Sequence, residues 1–421
     1  MASFTASNRL GRVLDTRPGE LRLLALSFAY FFCLLCGYYI LRPLRDEMGI
    51  VGGVEQLHWM FTATLGAMLV AVPLYGWLTS RFPRERFLPF VYLFFVVNLL
   101  LFYGAFQIEE WRVWSARAFF VWVSVFNLFA VSVFWSFMVD LYTNEQARRL
   151  FGVVSAGGSL GAIVGPSLTA GLAEPLGPLN LLPVSALFLA LAIVCIYVLA
   201  RAPRAVRVAK GAVGGGVLDG LTLLLRSPYL LGIALFVLGL TLVATFMYFE
   251  QAHIVRENFS SSSARTVFFA KIDLAVNLIA VFLQLFGTGR VIRWIGLTAV
   301  LVLVPLVNAA GLIMLAAIPT LVVLMGLQVV RRAGEYALAR PAREVLFTVT
   351  ERDAKYKAKN VIDTVVYRAG DALGGWVFAA LTTFGLGLSG IAWIGAALTL
   401  PWIALAVWLG RAERERRRAV K

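Results

Sequence analysis

The sequence predicts an all-α membrane protein with about twelve transmembrane helices in two pseudo-symmetric six-helix bundles. Three observations carry that reading. The 421 residues are 60% hydrophobic and only 14% charged, with mean hydropathy +0.82, which excludes an ordinary soluble enzyme. The apolar residues fall in runs of about 20, the length that crosses a bilayer. Two motifs also return at one offset of 213 positions. Gly76, Leu78, Ser80 and Arg81 in GWLTSRFP are answered by Gly289, Val291 and Arg293 in GRVIRWIG, and Ala156–Gly161 (AGGSLG) by Ala369–Gly374 (AGDALG). Two matches at one offset mean two related halves, and a repeated membrane bundle points to a moving pair and so to transport.

Lipid offers the backbone no hydrogen bonds, so each apolar run must be a helix. In order the spans are 21–43, 57–78, 87–107, 113–139, 150–172 and 179–200 in the first half. In the second they are 229–250, 267–287, 295–317, 319–339, 360–384 and 388–410. The first 20 residues are polar and the first run is too long for a cleavable signal peptide, so none is expected. The domain reading follows: an N-terminal segment 1–20, a bundle 21–200, a basic glycine-bearing linker 201–228, a bundle 229–410 and a basic tail 411–421. Residues 210–226 are read as including a short amphipathic helix.

The net charge of +15 does not signal nucleic acid, because the cations are dealt to alternate loops. Arg81, Arg84 and Arg86 follow the second span, Arg148 and Arg149 the fourth, and Arg201, Arg204, Arg207 and Lys210 the sixth. Arg290 and Arg293 follow the eighth, and Arg352, Lys355 and Lys357 the tenth. The intervening loops are poor in Lys and Arg. This positive-inside pattern predicts both termini in the cytoplasm, and thus a multi-pass protein of a bacterial inner membrane. Cys33 and Cys36 lie within an apolar run and act as small hydrophobes. With only His58 and His253 available, no metal site is expected, and no cofactor. No nucleophile–base set or phosphate loop appears, so no catalytic residue and no enzymatic activity are expected.

Charge at bilayer depth costs roughly 3 kcal/mol or more per group, so the charged residues inside spans are the functional candidates. The first span ends in Tyr38-Tyr39-Ile40-Leu41-Arg42-Pro43-Leu44-Arg45-Asp46-Glu47. The fourth holds Arg117, Asn127 and Asp140, the seventh ends with Glu250 and His253, and the eighth opens with Lys271 and Asp273. The tenth carries Gln328, Arg331, Arg332, Glu335, Arg340, Arg343 and Glu344. The eleventh has Lys359, Asp363, Tyr367 and Asp371 at steps of four, which is one face of an α-helix. Spans one, four, seven and ten are equivalent in the repeat and would line a central polar cavity. Arginine suits phosphate or carboxylate through its two parallel donors. Arg340, Arg352 and Lys355 are read instead as snorkelling to the interface. Gly157, Gly161 and Gly165 share a face that admits a second helix closely, with Pro166 just beyond.

The basic loops after spans two and eight, with Gly161 and Gly165-Pro166 in the fifth span, resemble motifs of the major facilitator superfamily. Tyr39-Ile40-Leu41-Arg42-Pro43-Leu44-Arg45-Asp46 is similar to the first-helix segment of the nucleotide (ATP/ADP) translocases of plastids and obligate intracellular bacteria. Phe134-Trp135-Ser136-Phe137, Thr143, Glu145, Arg149-Leu150-Phe151-Gly152, Glu250 and Arg340-Pro341-Ala342-Arg343-Glu344 resemble further segments of that family, as does Lys357-Ala358-Lys359-Asn360-Val361-Ile362-Asp363. The sequence departs from it where Val123 stands in place of a glutamate and where Arg45 and Arg343 replace lysines.

The expected function is therefore alternating-access transport of a small anionic metabolite, phosphorylated or nucleotide-like, by exchange, in a protein that acts as a monomer. Arg45, Arg332 and Arg343 would bind the anion, Tyr38, Tyr39 or Tyr248 would stack on a base or other planar ring, and Glu250 and Asp371 would hold those arginines when the site is empty. Arg81, Asp140, Arg149 and Arg293 would form cytoplasmic latches. In an alternative, a proton-coupled carrier or exporter, Glu250, His253 or Asp273 takes the proton. In a second alternative the protein is a scaffold or receptor that moves no substrate.

Overall fold

The computed structural model describes residues 16–17, 20–81, 84–201, 217–350 and 352–420. Most of the N-terminal segment and of the linker, including Arg204, Arg207, Lys210 and Gly211, lies outside them, as do residues 82–83. The described residues are helical throughout, joined by short turns. All twelve spans are helices: Glu20–Val51, Leu57–Arg81, Arg84–Ala105, Arg112–Leu141, Asn144–Leu176, Leu181–Ala200, Pro228–Asn258, Ser262–Phe286 and Thr288–Ala317 make the first nine. The twelfth is Leu388–Val420.

The tenth and eleventh are broken up. The tenth runs as Leu321–Gly334, a π-helical turn Glu335–Ala339, and Arg340–Leu346; the eleventh as Arg352–Val361, a π turn Ile362–Val366, and Tyr367–Thr383. The other ten helices are each long and apolar enough to cross a membrane unbroken. π turns insert an extra residue and occur preferentially at functional positions. The inserted residue also shifts the helical phase, so the single face expected for Lys359, Asp363, Tyr367 and Asp371 is not kept. The basic stretch 289–296, expected to be a loop, is helical up to a break at Gly296, whose φ of +82° few other residues adopt. The short amphipathic helix is present as Val217–Arg226. A Cβ on its Gly220 would lie 2.6 Å from the Lys357 carbonyl oxygen, so the helix rests on Arg352–Val361.

Contacts group the chain into two units. Unit 1 comprises Met1–Met48, Val70–Lys210 and Ser261–Leu274; unit 2 comprises Gly49–Leu69, Gly211–Ser260 and Ala275–Lys421. In unit 1 the fifth span begins with a reciprocal cap: Thr143 Oγ1 accepts from Gln146 N–H, and Gln146 Oε1 accepts from Thr143 N–H. Its glycine face then lies on the first span. A Cβ at Gly157 would stand 2.5 Å from the Phe28 carbonyl oxygen, and one at Gly161 2.5 Å from that of Phe32. Tyr30 donates to Tyr92 at 2.7 Å and Tyr92 to the Ala130 carbonyl at 3.2 Å, tying spans one, three and four in the core.

Unit 2 repeats the close packing. A Cβ at Gly370 would collide with Thr241 and one at Gly374 would stand 3.0 Å from the Thr245 Cβ, setting the eleventh span on the seventh. Both members of each pair are displaced by the same 213 positions from Gly157–Phe28 and Gly161–Phe32. The internal repeat is thus a repeat of contacts as well as of residues.

Candidate functional site

Within unit 1 the polar residues gather at the end of the first span, where Pro43 lacks an N–H and the chain is still helical to Val51. Arg45 donates through Nε to Ser124 Oγ at 3.0 Å and through Nη1 to Asp46 Oδ1 at 3.2 Å. Its guanidinium lies 3.8 Å from the centre of the Phe120 ring, a cation–π distance. Val123, the position without a glutamate, is fully buried next to Ser124. Arg42 stands 3.8 Å from Asp273 and 5.8 Å from the ring centre of Tyr39, which packs edge-on against Tyr38. Arg265 holds Glu47 with two hydrogen bonds. The end of the first span thus carries three charged groups: Arg45 with Asp46, Arg42 with Asp273 and Tyr39, and Glu47 with Arg265.

The two latch residues of unit 1's fourth and fifth spans flank the turn 142–143. Arg149 Nη2 donates to Glu20 Oε1 at 3.0 Å, and Glu20 also accepts from Gln146 Nε2 at 2.9 Å. Glu145 pairs with Arg17. Arg81 is exposed, its guanidinium 5.8 Å from the Trp77 ring centre.

Within unit 2 the tenth and eleventh spans hold the second cluster. Glu335, at the head of the π turn, faces two arginines: Arg331 at 3.7 Å and Arg340 at 3.4 Å. Arg331 also donates to Gln328 Oε1 at 2.8 Å, and Gln328 Nε2 donates to the Met247 carbonyl of the seventh span. Arg332, on the next position, is buried. Arg343 pairs with Asp363 at 2.9 Å and Lys359 with Glu344 at 2.5 Å, so the π-shifted start of the eleventh span is clamped to the end of the tenth. Asp371 accepts from Arg368 at 3.1 Å and from Thr245 at 3.4 Å.

Glu250 differs from these acids. It is 1% exposed, and neither carboxylate oxygen accepts a hydrogen bond among the described residues. Among the described residues no arginine donates to it, so the expectation that it holds one is not met in this structure. His253 Nδ1 donates to the Phe249 carbonyl at 2.8 Å, one turn back. Arg293 is exposed and donates to the Gly289 carbonyl of its own helix.

Two residues in these clusters escape a reading by apolar runs. Arg265 lies in the stretch SSSSART, which reads as loop, yet the helix begins at Ser262. The four serines, able to cap a helix start, are the signal that marks it. Arg340 is visible as a charge, but its reach to Glu335, five positions back, runs across the π turn, which has no periodic signature.

A family model described as the Major Facilitator Superfamily matches residues 23–321. The chain is similar to ADP,ATP carrier protein 1 of Chlamydia muridarum (strain MoPn / Nigg), with 23% identity over 84% of this chain and 81% of that protein. It is likewise similar to ADP,ATP carrier protein 2 of Chlamydia pneumoniae, at 23% over 92% and 87%. Among solved structures it resembles a POT family transporter in complex with a thioalcohol conjugated peptide, at 12% identity and TM-score 0.66 over 93% of this chain and 96% of that one. A D-xylose-proton symporter gives 12% and 0.65 over 91% and 97%. At such identities the structural likeness speaks to fold alone.

Proposed function

The chain belongs to the major facilitator superfamily, and from that premise we propose that it exchanges anionic, phosphorylated metabolites of nucleotide type across its membrane. The coarser part of this needs no proposal: it is a multi-pass membrane transporter of a small molecule. The single observation that carries the anionic part is Glu335 facing both Arg331 and Arg340 in a span that also buries Arg332. Arg331 and Arg332 lie within the span, where charge is costly, and a guanidinium that shares a carboxylate can turn its parallel donors to an entering anion. Arg45 in unit 1 and Arg343 in unit 2 are part of the same reading, each held by a carboxylate that a phosphate can replace. Tyr39 offers a ring to a base. The carrier relatives named ADP,ATP carrier proteins support nucleotide as the substrate class.

In this reading the moving bodies are the bundles 21–200 and 229–410, the termini are cytoplasmic, and the protein works as a monomer in a bacterial inner membrane. Arg81, Asp140, Arg149 and Arg293 act as the cytoplasmic latches. The test is exchange in liposomes. Vesicles preloaded with ADP take up labelled ATP, empty vesicles do not, and a pH gradient leaves the rate unchanged. Uptake into empty vesicles that follows the gradient overturns the proposal.

A second reading, proton-coupled transport of another organic solute, is favoured by Glu250. It is an acid buried within a span, and neither of its oxygens accepts a hydrogen bond among the described residues, so no ion pair occupies it. The gradient arm of the same experiment separates the two.

A further inference from the structure

The π turn of the tenth span has a cause in the sequence. Pro341 has no N–H, so it gives no hydrogen bond to the carbonyl oxygens of Ala337 and Tyr336, four and five residues back. Its ring also crowds the Ala337 carbonyl, the one an α-helix would set against it. The chain widens there: the Arg340 N–H donates to the Glu335 carbonyl, five residues back. Pro341 thus leaves an open carbonyl at this level, costly among lipid tails unless another donor meets it.

Both oxygens are met from outside the span. Gln284 Nε2 donates to the Tyr336 oxygen at 3.2 Å, and the Thr288 hydroxyl to the Ala337 oxygen at 2.7 Å. The other acceptor near that hydroxyl, the Leu283 carbonyl, is farther, at 3.2 Å. The two donors stand at the end of the eighth span and the head of the ninth. Gln284 lies among exposed Phe282, Leu285 and Phe286, where a polar side chain is costly unless it is bonded.

The turn they meet carries Glu335. In an α-helix a side chain faces those three and four positions away, so Glu335 would reach Arg331 and not Arg340. Across the π turn it has both, Arg331 at 3.7 Å and Arg340, five positions on, at 3.4 Å. The register of this turn decides whether Glu335 serves one arginine or two.

We propose that Gln284 and Thr288 are positioning residues for anion binding. They hold the carbonyls that Pro341 cannot serve, fix the π turn, and so keep Arg340 on Glu335 beside Arg331. Both act through the backbone of the tenth span rather than on the substrate. The proposal rests on the reading of Glu335 and its arginines as the anion site.

Two measurements on the purified full chain test it, and the first needs no nucleotide. Gln284→Leu combined with Thr288→Val should lower the melting temperature of the wild type. The same pair should lower it clearly less in a Pro341→Ala background, where residue 341 supplies the missing N–H. Thr288→Ser keeps the hydroxyl and should hold the wild-type value. An equal drop in both backgrounds overturns the proposal, because the two side chains then support something other than the open carbonyls. The second measurement is ADP affinity by calorimetry. The paired substitution should weaken it about tenfold, the effect of one or two lost hydrogen bonds, and Thr288→Ser less than about twofold. Unchanged affinity in the paired variant overturns the positioning role and leaves the anion site standing. A wild type that binds no ADP refutes the anion reading instead, and the hold on the π turn is then decided by the melting temperatures.

Discussion

Arg265 grips Glu47 with two parallel hydrogen bonds, Nε to Oε2 at 2.7 Å and Nη2 to Oε1 at 2.8 Å. Glu47 is fully buried and 218 residues away in sequence, so the end of the first span is fastened to the start of the eighth. Desolvating two charges costs nearly what their attraction returns. The pair therefore contributes little net stability while intact, and much is lost when it is halved.

The first prediction concerns that asymmetry. Glu47→Gln leaves the Arg265 cation buried without its counter-charge and should destabilise the protein by about 3–5 kcal/mol. Glu47→Leu combined with Arg265→Met should come back to within about 1 kcal/mol of the wild type, or above it. Thermal unfolding in one detergent checks both. A double variant as unstable as the single one would mean that packing, not charge, holds this junction.

Helix packing yields the second. A Cβ on Gly161 would stand 2.5 Å from the Phe32 carbonyl oxygen and 2.8 Å from the Cys36 nitrogen, both rigid backbone. At its repeat mate Gly374 the nearest atom is the Thr245 Cβ at 3.0 Å, and at Gly171 nothing lies within 4 Å. Gly161→Ala should therefore cost about 1–3 kcal/mol by overpacking, more than Gly374→Ala. Gly171→Ala should be neutral or stabilising by up to about 1 kcal/mol, because alanine is the better helix former. The order of the three melting temperatures is the readout; equal losses at 161 and 171 would mean that the fifth span does not lie on the first.

How much of this was legible beforehand follows from what the physics constrains. Lipid leaves the backbone one option, so all twelve spans could be read from hydropathy, and the repeat offset correctly paired Gly161 with Gly374. The offset even holds for their partners, Phe32 and Thr245. What hydropathy cannot show is helical phase after a π turn. Lys359 and Asp363 reach Glu344 and Arg343 of the tenth span, whereas Asp371, expected on the same face, meets Thr245 of the seventh. Nor can it show pairing across 218 residues: Arg265 reads as loop until the helix is seen to start at Ser262. Arg45, Arg343 and Glu250 were all visible as misplaced charges. Their partners were not, and Glu250 has none among the described residues.

The third prediction isolates Arg45. Its removal deletes a hydrogen bond to Ser124 and weakens the hold on Asp46, so Arg45→Ala should lower stability modestly, by about 1–2 kcal/mol. It should also abolish binding of ADP, measured by calorimetry on the purified protein. Arg45→Lys keeps the charge and loses the fork, so it should retain weakened binding. Wild-type ADP affinity in the alanine variant would remove Arg45 from the site.

The last prediction turns on Glu250. Replacing a buried, unpartnered carboxylate by its neutral isostere removes no ion pair, so Glu250→Gln should fold with stability equal to or above the wild type. Under nucleotide exchange the variant should exchange ADP for ATP at the wild-type rate, since no arginine depends on it. Under proton coupling it should lose gradient-driven uptake while still allowing solute counterflow, because the protonated form is mimicked permanently. Measuring both fluxes at two pH values in the same vesicles distinguishes the cases. A variant that folds but shows neither flux would mean that Glu250 touches the substrate itself, a role its burial in this structure does not foreshadow.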